Sequence, residues 1–270
     1  MTKVLLITGI SSGFGKATAD CFAAKGYRVY GISRKQNDDF TGDIKVLQAD
    51  VTDVISVKKA VSTLIEKEGR IDILINNAGM GISGSVEDSS AADIKLQMDT
   101  NFTGCVNMIQ AVLPAMRKQN GAKIINISSI GGLMGLPYQG FYAASKFAVE
   151  GLSEALRMEL LPFKIKVIVI QPGDFFTNFT ANRKPVIASG TDSAYHSQFQ
   201  KTLSIIEKDE KSGLPPDFLA RRLVKIAEQK NPCHSYIIAT LEQKFAVVLK
   251  RILPGSLFSK ILSSHYGIKS

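Results

Sequence analysis

The chain predicts an α/β fold: a doubly wound parallel sheet of about seven strands, helices on both faces, and a C-terminal lid over a substrate pocket. Three observations predict it. Short apolar runs alternate with longer stretches of helical period along the 270 residues. The runs are apolar throughout, as strands buried on both faces are. A glycine-rich turn follows the first run and opens the first helical stretch, the order of a βαβ unit.

Residues 4–8 read as the first strand and residues 15–25 as a helix that stops at Gly26. Strands are predicted at 28–33, 44–48, 71–76, 123–128, 166–171 and 235–239. Residues 54–68 read as a helix with Gly69 as its stop. Residues 89–119 read as one helix or two, with Pro114 as a kink, and residues 141–161 as one long helix. Residues 174–216 break the rhythm, with Pro185, Gly190 and Pro215-Pro216 among mixed polar and aromatic residues. Such a segment in a compact domain is expected to be a substrate loop or lid. One domain spans 1–270, and residues 240–270 form a C-terminal extension.

Composition excludes several classes. With 45% hydrophobic and 21% charged residues, the chain matches a soluble globular protein and not a disordered one. Cys21, Cys105 and Cys233 are scattered, which argues against a zinc site or a disulfide framework. The N-terminal apolar run is too short for a signal segment, and no stretch is long enough to span a membrane, so a cytoplasmic address is expected. Net charge is +9, and residues 211–270 hold ten Lys/Arg against three Asp/Glu. Basic charge attracts nucleic acid or an anionic membrane, but no nucleic-acid motif accompanies it. A solvated basic face explains it as well, and no nucleic-acid partner is expected.

The first turn reads Thr8-Gly9-Ile10-Ser11-Ser12-Gly13-Phe14-Gly15. Glycines there permit a tight turn and close approach of the backbone to a ligand. The helix that follows offers unpaired N–H groups and the positive end of its dipole, together a pyrophosphate site. The second strand ends in Ser33, followed by Arg34 and Lys35. An acidic residue there would hold a ribose 2′-hydroxyl and repel a 2′-phosphate, whereas a guanidinium binds phosphate. The pattern predicts NADP(H); two cations solvating a loop would give the same residues. Tyr142 and Lys146 lie four apart in a helical stretch and so share a face. A cation held near a phenol favours the phenolate, which makes an acid/base pair.

With these motifs in order, the chain resembles the compact, single-domain branch of the short-chain dehydrogenase/reductase family. The motifs are TGISSGFG at 8–15, NNAG at 76–79, SSIGG at 128–132 and YAASK at 142–146, with Pro172-Gly173 and Thr177 beyond them. They cover about residues 1–180. The resemblance implies a Rossmann-like sheet and an enzyme that transfers a hydride between NADP(H) and a carbonyl or secondary alcohol. It implies a tetrad of Asn101, Ser129, Tyr142 and Lys146, with Ser128 as the nearest competitor to Ser129. Tyr142 would be the general acid for reduction. Ser129 would hydrogen-bond the substrate oxygen. Lys146 would hold ribose hydroxyls and depress the Tyr142 pKa. Asn101 would position a water. The resemblance also implies cofactor contacts at Gly9, Ser11, Ser12, Gly13, Phe14 and Gly15, at Ser33 and Arg34, at Asp50 and Val51, at Asn77, Ala78 and Gly79, and at Pro172, Gly173 and Thr177. No metal is expected.

The stretches 131–137 and 148–163 resemble members acting on steroids and retinoids, so a bulky hydrophobic ketone is expected. Phe175, Phe176, Phe179, Tyr195 and Phe199 either line that pocket or pack the lid down. His196 is placed in the lid; His234 and His265 read as surface residues. Residues 244–270 mix apolar and basic side chains; packing on the body is preferred to lying on a membrane, because Pro254-Gly255 interrupts the helix. A homodimer or homotetramer through the helices at about 92–119 and 141–161 follows from the resemblance. The alternative function is a catalytically silent NADP(H)-sensing protein on the same fold. A sugar-nucleotide epimerase of the extended branch is disfavoured by the glycine spacing and by Ser33.

Overall fold

The computed structural model describes residues 2–35, 40, 42–119 and 121–268. Seven strands form one parallel sheet: β1 (Val4–Thr8), β2 (Arg28–Ser33), β3 (Ile44–Gln48), β4 (Ile73–Asn76), β6 (Ala122–Ile127), β7 (Ile165–Pro172) and β9 (Ser235–Ile238). Their order is β3-β2-β1-β4-β6-β7-β9, and every neighbouring pair is parallel. The chain winds outward from β1 to β3, then returns to β4 and winds the other way. That is a Rossmann-like doubly wound sheet, with its reversal between β1 and β4. A second, two-residue pairing of β5 (Ile82–Ser83) with β8 (Lys184–Pro185) was not anticipated.

Successive β1 residues explain why its run is uninterrupted. Val4 and Leu6 enter one core; Leu5 and Ile7 enter the other. The first core lies under α2 (Val54–Glu68), α4 (Gly104–Lys118) and α5 (Gly140–Glu159), the second under α1 (Gly13–Ala23) and α7 (Pro216–Glu228). Boundaries have local causes. The Asp53 carboxylate accepts from the Ile55 N–H at 2.9 Å and caps α2, and Gly69 ends it with φ 69°.

Two expectations need correction. The break within 89–119 is a π-helical turn, Asp99–Thr103, between α3 (Ala91–Met98) and α4; Pro114 lies inside α4. A π turn adds a residue to the helical ring, and it carries the buried Asn101. Residues 174–216 are not without period either. They contain the sixteen-residue α6 (His196–Lys211), which buries Phe199, Thr202 and Ile206. Three inward residues in a run rich in Lys, Asp and Glu were too few to mark it. Beyond β9, α8 (Leu241–Ile252) and α9 (Gly255–His265) form a hairpin broken at Pro254, and Val247 and Phe258 pack on Met134. Among the described residues no helix is long and apolar enough to cross a membrane.

Two asparagines in the sheet centre pair with one another. The Asn76 amide donates to Asn126 Oδ1 at 2.9 Å, and Asn126 Nδ2 donates to Ser153 Oγ at 2.9 Å, joining β4, β6 and α5. Asn126→Ala strands a buried donor on Asn76, at a cost of about 1–3 kcal/mol. Urea unfolding of the variant should show a lower midpoint with unchanged slope.

Candidate active site

At the carboxyl ends of β1, β4, β6 and β7 the chain encloses a cavity of about 1060 Å³. The first wall is the glycine turn. Gly9 and Gly13 hold φ of 71° and 53°, backbone that a side chain disfavours. A Cβ on Gly15 would lie 2.1 Å from the Gly9 carbonyl oxygen, so α1 can start this close to β1 only with glycine there. Ser11, Ser12, Gly13 and Phe14 line the cavity. Ser12 is the N-cap, but its hydroxyl makes no capping bond, and the first turn holds no acid. These open N–H groups fit a pyrophosphate. Asn77 is a strut as well as a lining residue: its Nδ2 donates to the Thr8 carbonyl at 2.8 Å, while Thr8 Oγ1 accepts from the N–H groups of Asn77 and Ala78.

Ser33, Arg34, Asp50, Val51, Ala78, Gly79, Pro172, Gly173 and Thr177 also line the cavity, and Thr177 lies against Gly13 of the turn. Arg34 and Lys35 are exposed and have no ion-pair partner among the described residues. Asp50 turns its carboxylate onto Thr52, accepting from both the N–H and the hydroxyl. Gly15 alone of the expected cofactor residues lies behind the wall, where its role is the close approach to Gly9.

Tyr142, Lys146 and Ser129 meet in the middle of the cavity. A hydrogen bond from the Ser129 hydroxyl reaches the Tyr142 phenol. Ser128 also lines the cavity, but its Oγ sits 2.6 Å from where a Gly132 Cβ would be, turned toward that glycine. Phe179 stacks beside Tyr142, ring centres 5.8 Å apart. Burial pushes the phenol up to about 12; the carboxylates of Glu210 and Asp174 push the same way, and the Ser129 bond offsets them only in part. This corrects the expected depression of Tyr142 by Lys146. The Lys146 ammonium is itself buried, donates to the Ile127 carbonyl at 2.9 Å, and is pushed down by desolvation to about 8.

Asn101 does not line the main cavity. Its Oδ1 accepts from the Met80 N–H at 2.9 Å, and its Nδ2 donates to the Met80 carbonyl and to Ser145 Oγ, each at 3.0 Å. Ser145 in turn donates to the Tyr142 carbonyl at 2.7 Å. Ser145 thereby links two tetrad members. It was missed although it stands inside the YAASK motif.

The opposite wall was not legible. Asp209 and Glu210 come to the cavity from α6, His265 and Tyr266 from the end of α9, and Asp174 from just after β7. Glu210 pairs with Arg183, whose side chain is 4% exposed, and accepts from Thr180 Oγ1 at 2.6 Å. His265 pairs with Asp209 at 3.0 Å, so His265 reaches the cavity and His196 does not. Asp174 accepts from the Gln243 amide at 2.5 Å and has no cation partner among the described residues. Burial raises its carboxyl to about 6. Of the five aromatic residues, Phe175 and Phe179 line the cavity, Phe199 is buried against Tyr138, Phe176 is exposed, and Tyr195 bonds Glu87.

A family model, short chain dehydrogenase, matches residues 3–187. The chain belongs to that family. It is 49% identical over 267 residues to the 3-ketodihydrosphingosine reductase of Bacteroides thetaiotaomicron, covering 99% of both chains. It is 30% identical to the NADPH-dependent 3-dehydrocapnine reductase of Ornithobacterium rhinotracheale, over 96% of this chain and 95% of that one. A short-chain dehydrogenase from Streptomyces avermitilis superposes with a TM-score of 0.83 at 27% identity, covering 98% of this chain and 96% of that one. The protein is thus a short-chain dehydrogenase/reductase, an oxidoreductase that works with a nicotinamide dinucleotide.

Because the folded pKa of Lys146 is depressed, this short-chain dehydrogenase releases that proton before its unfolded chain does. The penalty for the buried ammonium is full below about pH 8 and is relieved as pH rises toward the ordinary lysine value near ~10.4. Lys146→Met abolishes this titration. Its stability relative to the parent should therefore fall between about pH 7 and pH 10 in urea titrations. A difference independent of pH would contradict the assignment.

Proposed function

We propose that the protein is an NADPH-dependent reductase of a long-chain lipid ketone, with 3-ketodihydrosphingosine or a close sphingoid analogue as substrate. The observation that carries this reading is the shape and lining of the cavity. Met134, Leu136, Ile206, Phe245, Leu249, Phe258, Ile261 and Leu262 line it, an apolar share of wall suited to an alkyl chain. Beside Tyr142 it is acidic instead. The ketone of 3-ketodihydrosphingosine adjoins a carbon bearing an ammonium and a hydroxymethyl group. Asp174, half-buried in the cavity wall and without an ion-pair partner among the described residues, fits that ammonium, and the relative at 49% identity carries this substrate in its name. A steroid or retinoid would offer that carboxylate no cation.

The bound dinucleotide supplies the hydride. In the proposed reaction Tyr142 donates its phenolic proton to the carbonyl oxygen as the alcohol forms. A phenol held near 12 is protonated at neutral pH, which suits reduction. Ser129 donates a hydrogen bond to the same oxygen. Lys146, charged below about pH 8, lies 5.8 Å from the Tyr142 ring centre and would hold ribose hydroxyls. Asn101 holds the Met80 loop and, through Ser145, the Tyr142 backbone. The presence of all four, with Asn101 tied to the Tyr142 backbone through Ser145, argues for turnover over a silent sensor. Arg34 and Lys35 would take the 2′-phosphate. A dimer would form through α4 and α5, where Phe147 and Met158 of α5 and Leu161 just beyond it are exposed.

Oxidation of NADPH should follow addition of 3-ketodihydrosphingosine and be far weaker with ketosteroids, retinal or an alkyl ketone lacking the amine. Tyr142→Phe should lower kcat by about 10²–10⁴-fold while NADPH still binds, seen by cofactor fluorescence. Equal turnover in the variant would remove Tyr142 from the reaction. Separately, Arg34→Ala should weaken NADPH about 10- to 100-fold and leave NADH affinity unchanged in the same titration.

A further inference from the structure

The C-terminal hairpin carries a second, outward surface. Val247 and Phe258 face the body. On the other side Leu241, Phe245, Val248 and Ile252 recur at helical spacing and share one stripe of α8; they are 84%, 61%, 50% and 68% exposed. Leu257 and Ile261 extend it along α9. An apolar patch gathered on one edge marks an interaction surface. Lys244, Arg251 and Lys260 are its nearby cations, Lys250 lies over the inward Phe258 ring, and Glu242 is the single acidic residue between 241 and 268. Phe245 and Ile261 belong both to this exposed face and to the cavity lining, so the apolar part of the cavity lining reaches the patch.

We propose that this hairpin docks on an anionic lipid bilayer, its apolar stripe in the interface and its Lys/Arg rim on the lipid headgroups. The mouth of the cavity then faces the membrane, and a lipid ketone enters without crossing water. Charge selects this occupant. A second copy of the chain placed on the same face would oppose one basic rim to another, whereas anionic lipid satisfies the stripe and the rim together. The sequence preference for packing on the body describes the inner face of the same two helices.

The test is sedimentation of the full chain with vesicles of phosphatidylcholine alone or with added phosphatidylglycerol. Pelleting should require phosphatidylglycerol and weaken as salt is raised. The combined Leu241→Glu, Val248→Glu and Ile252→Glu variant, altered only at exposed positions off the cavity, should lower the vesicle partition coefficient by about tenfold or more. Lys244→Glu with Arg251→Glu should do the same by about tenfold or more and guards against a folding defect in the first. Absence of pelleting, or variants that pellet like the parent, would overturn the proposal. So would a parent dimer that the triple variant converts to monomer in sedimentation velocity, which would assign the face to chain–chain contact. Because no arm uses turnover, failure here leaves the reductase reading standing.

Discussion

The site depends on how closely α1 approaches the end of β1. Only a glycine at 15 lets the helix pass against the Gly9 carbonyl, and that contact aims the first N–H groups of α1 into the cavity. The Thr8 hydroxyl and the Asn77 amide then lock the end of β4 to the same turn. The reversal of strand order falls at this seam, so the crevice that the topology opens and the anion-binding turn coincide. Everything further along the cavity is positioned relative to that junction.

Electrostatics gives the site a direction. Burial raises the phenol of Tyr142 and lowers the ammonium of Lys146. Desolvation acts oppositely on groups that are neutral and charged when protonated. The two pKa values, ordinarily close to one another, are thereby driven apart, to about 12 and about 8. Burial decides the sign at Tyr142; Glu210 and Asp174 across the cavity add to the upward push, and Ser129 and Arg183 oppose it.

Much of this was legible in the sequence, and the rest was hidden for identifiable reasons. The central strands declared themselves because burial on both faces leaves no polar position, as Val4 to Ile7 illustrate. The tetrad and glycine turn were visible because their chemistry is concentrated in short segments. Residues such as Asp174, Glu210 and His265 come from three separate elements and meet only through the packing of α6, α8 and α9; no local pattern announces such a meeting. α6 itself was concealed by a charged surface that outnumbers its inward side chains. The π turn at Asn101 was invisible because DTNFT differs in no obvious way from an ordinary helical run, and Pro114 offered a false reason for a break. The direction of the Tyr142 shift was misread because spacing reports proximity to Lys146 but says nothing of desolvation.

Gln243 ties these layers together. It closes the capping box at the start of α8 with Thr240, its Oε1 also accepts from the Asp174 N–H at 3.3 Å, and its Nε2 holds the Asp174 carboxylate. A Cβ on Gly173 would fall 2.1 Å from that same oxygen. The first turn of the C-terminal hairpin and the Pro172-Gly173 shelf are therefore one latch. A protease that clipped the chain just after β9 would remove more than a cavity wall. It would also unfasten the Pro172-Gly173 ledge at the end of β7, and the two losses would arrive as a single cooperative event.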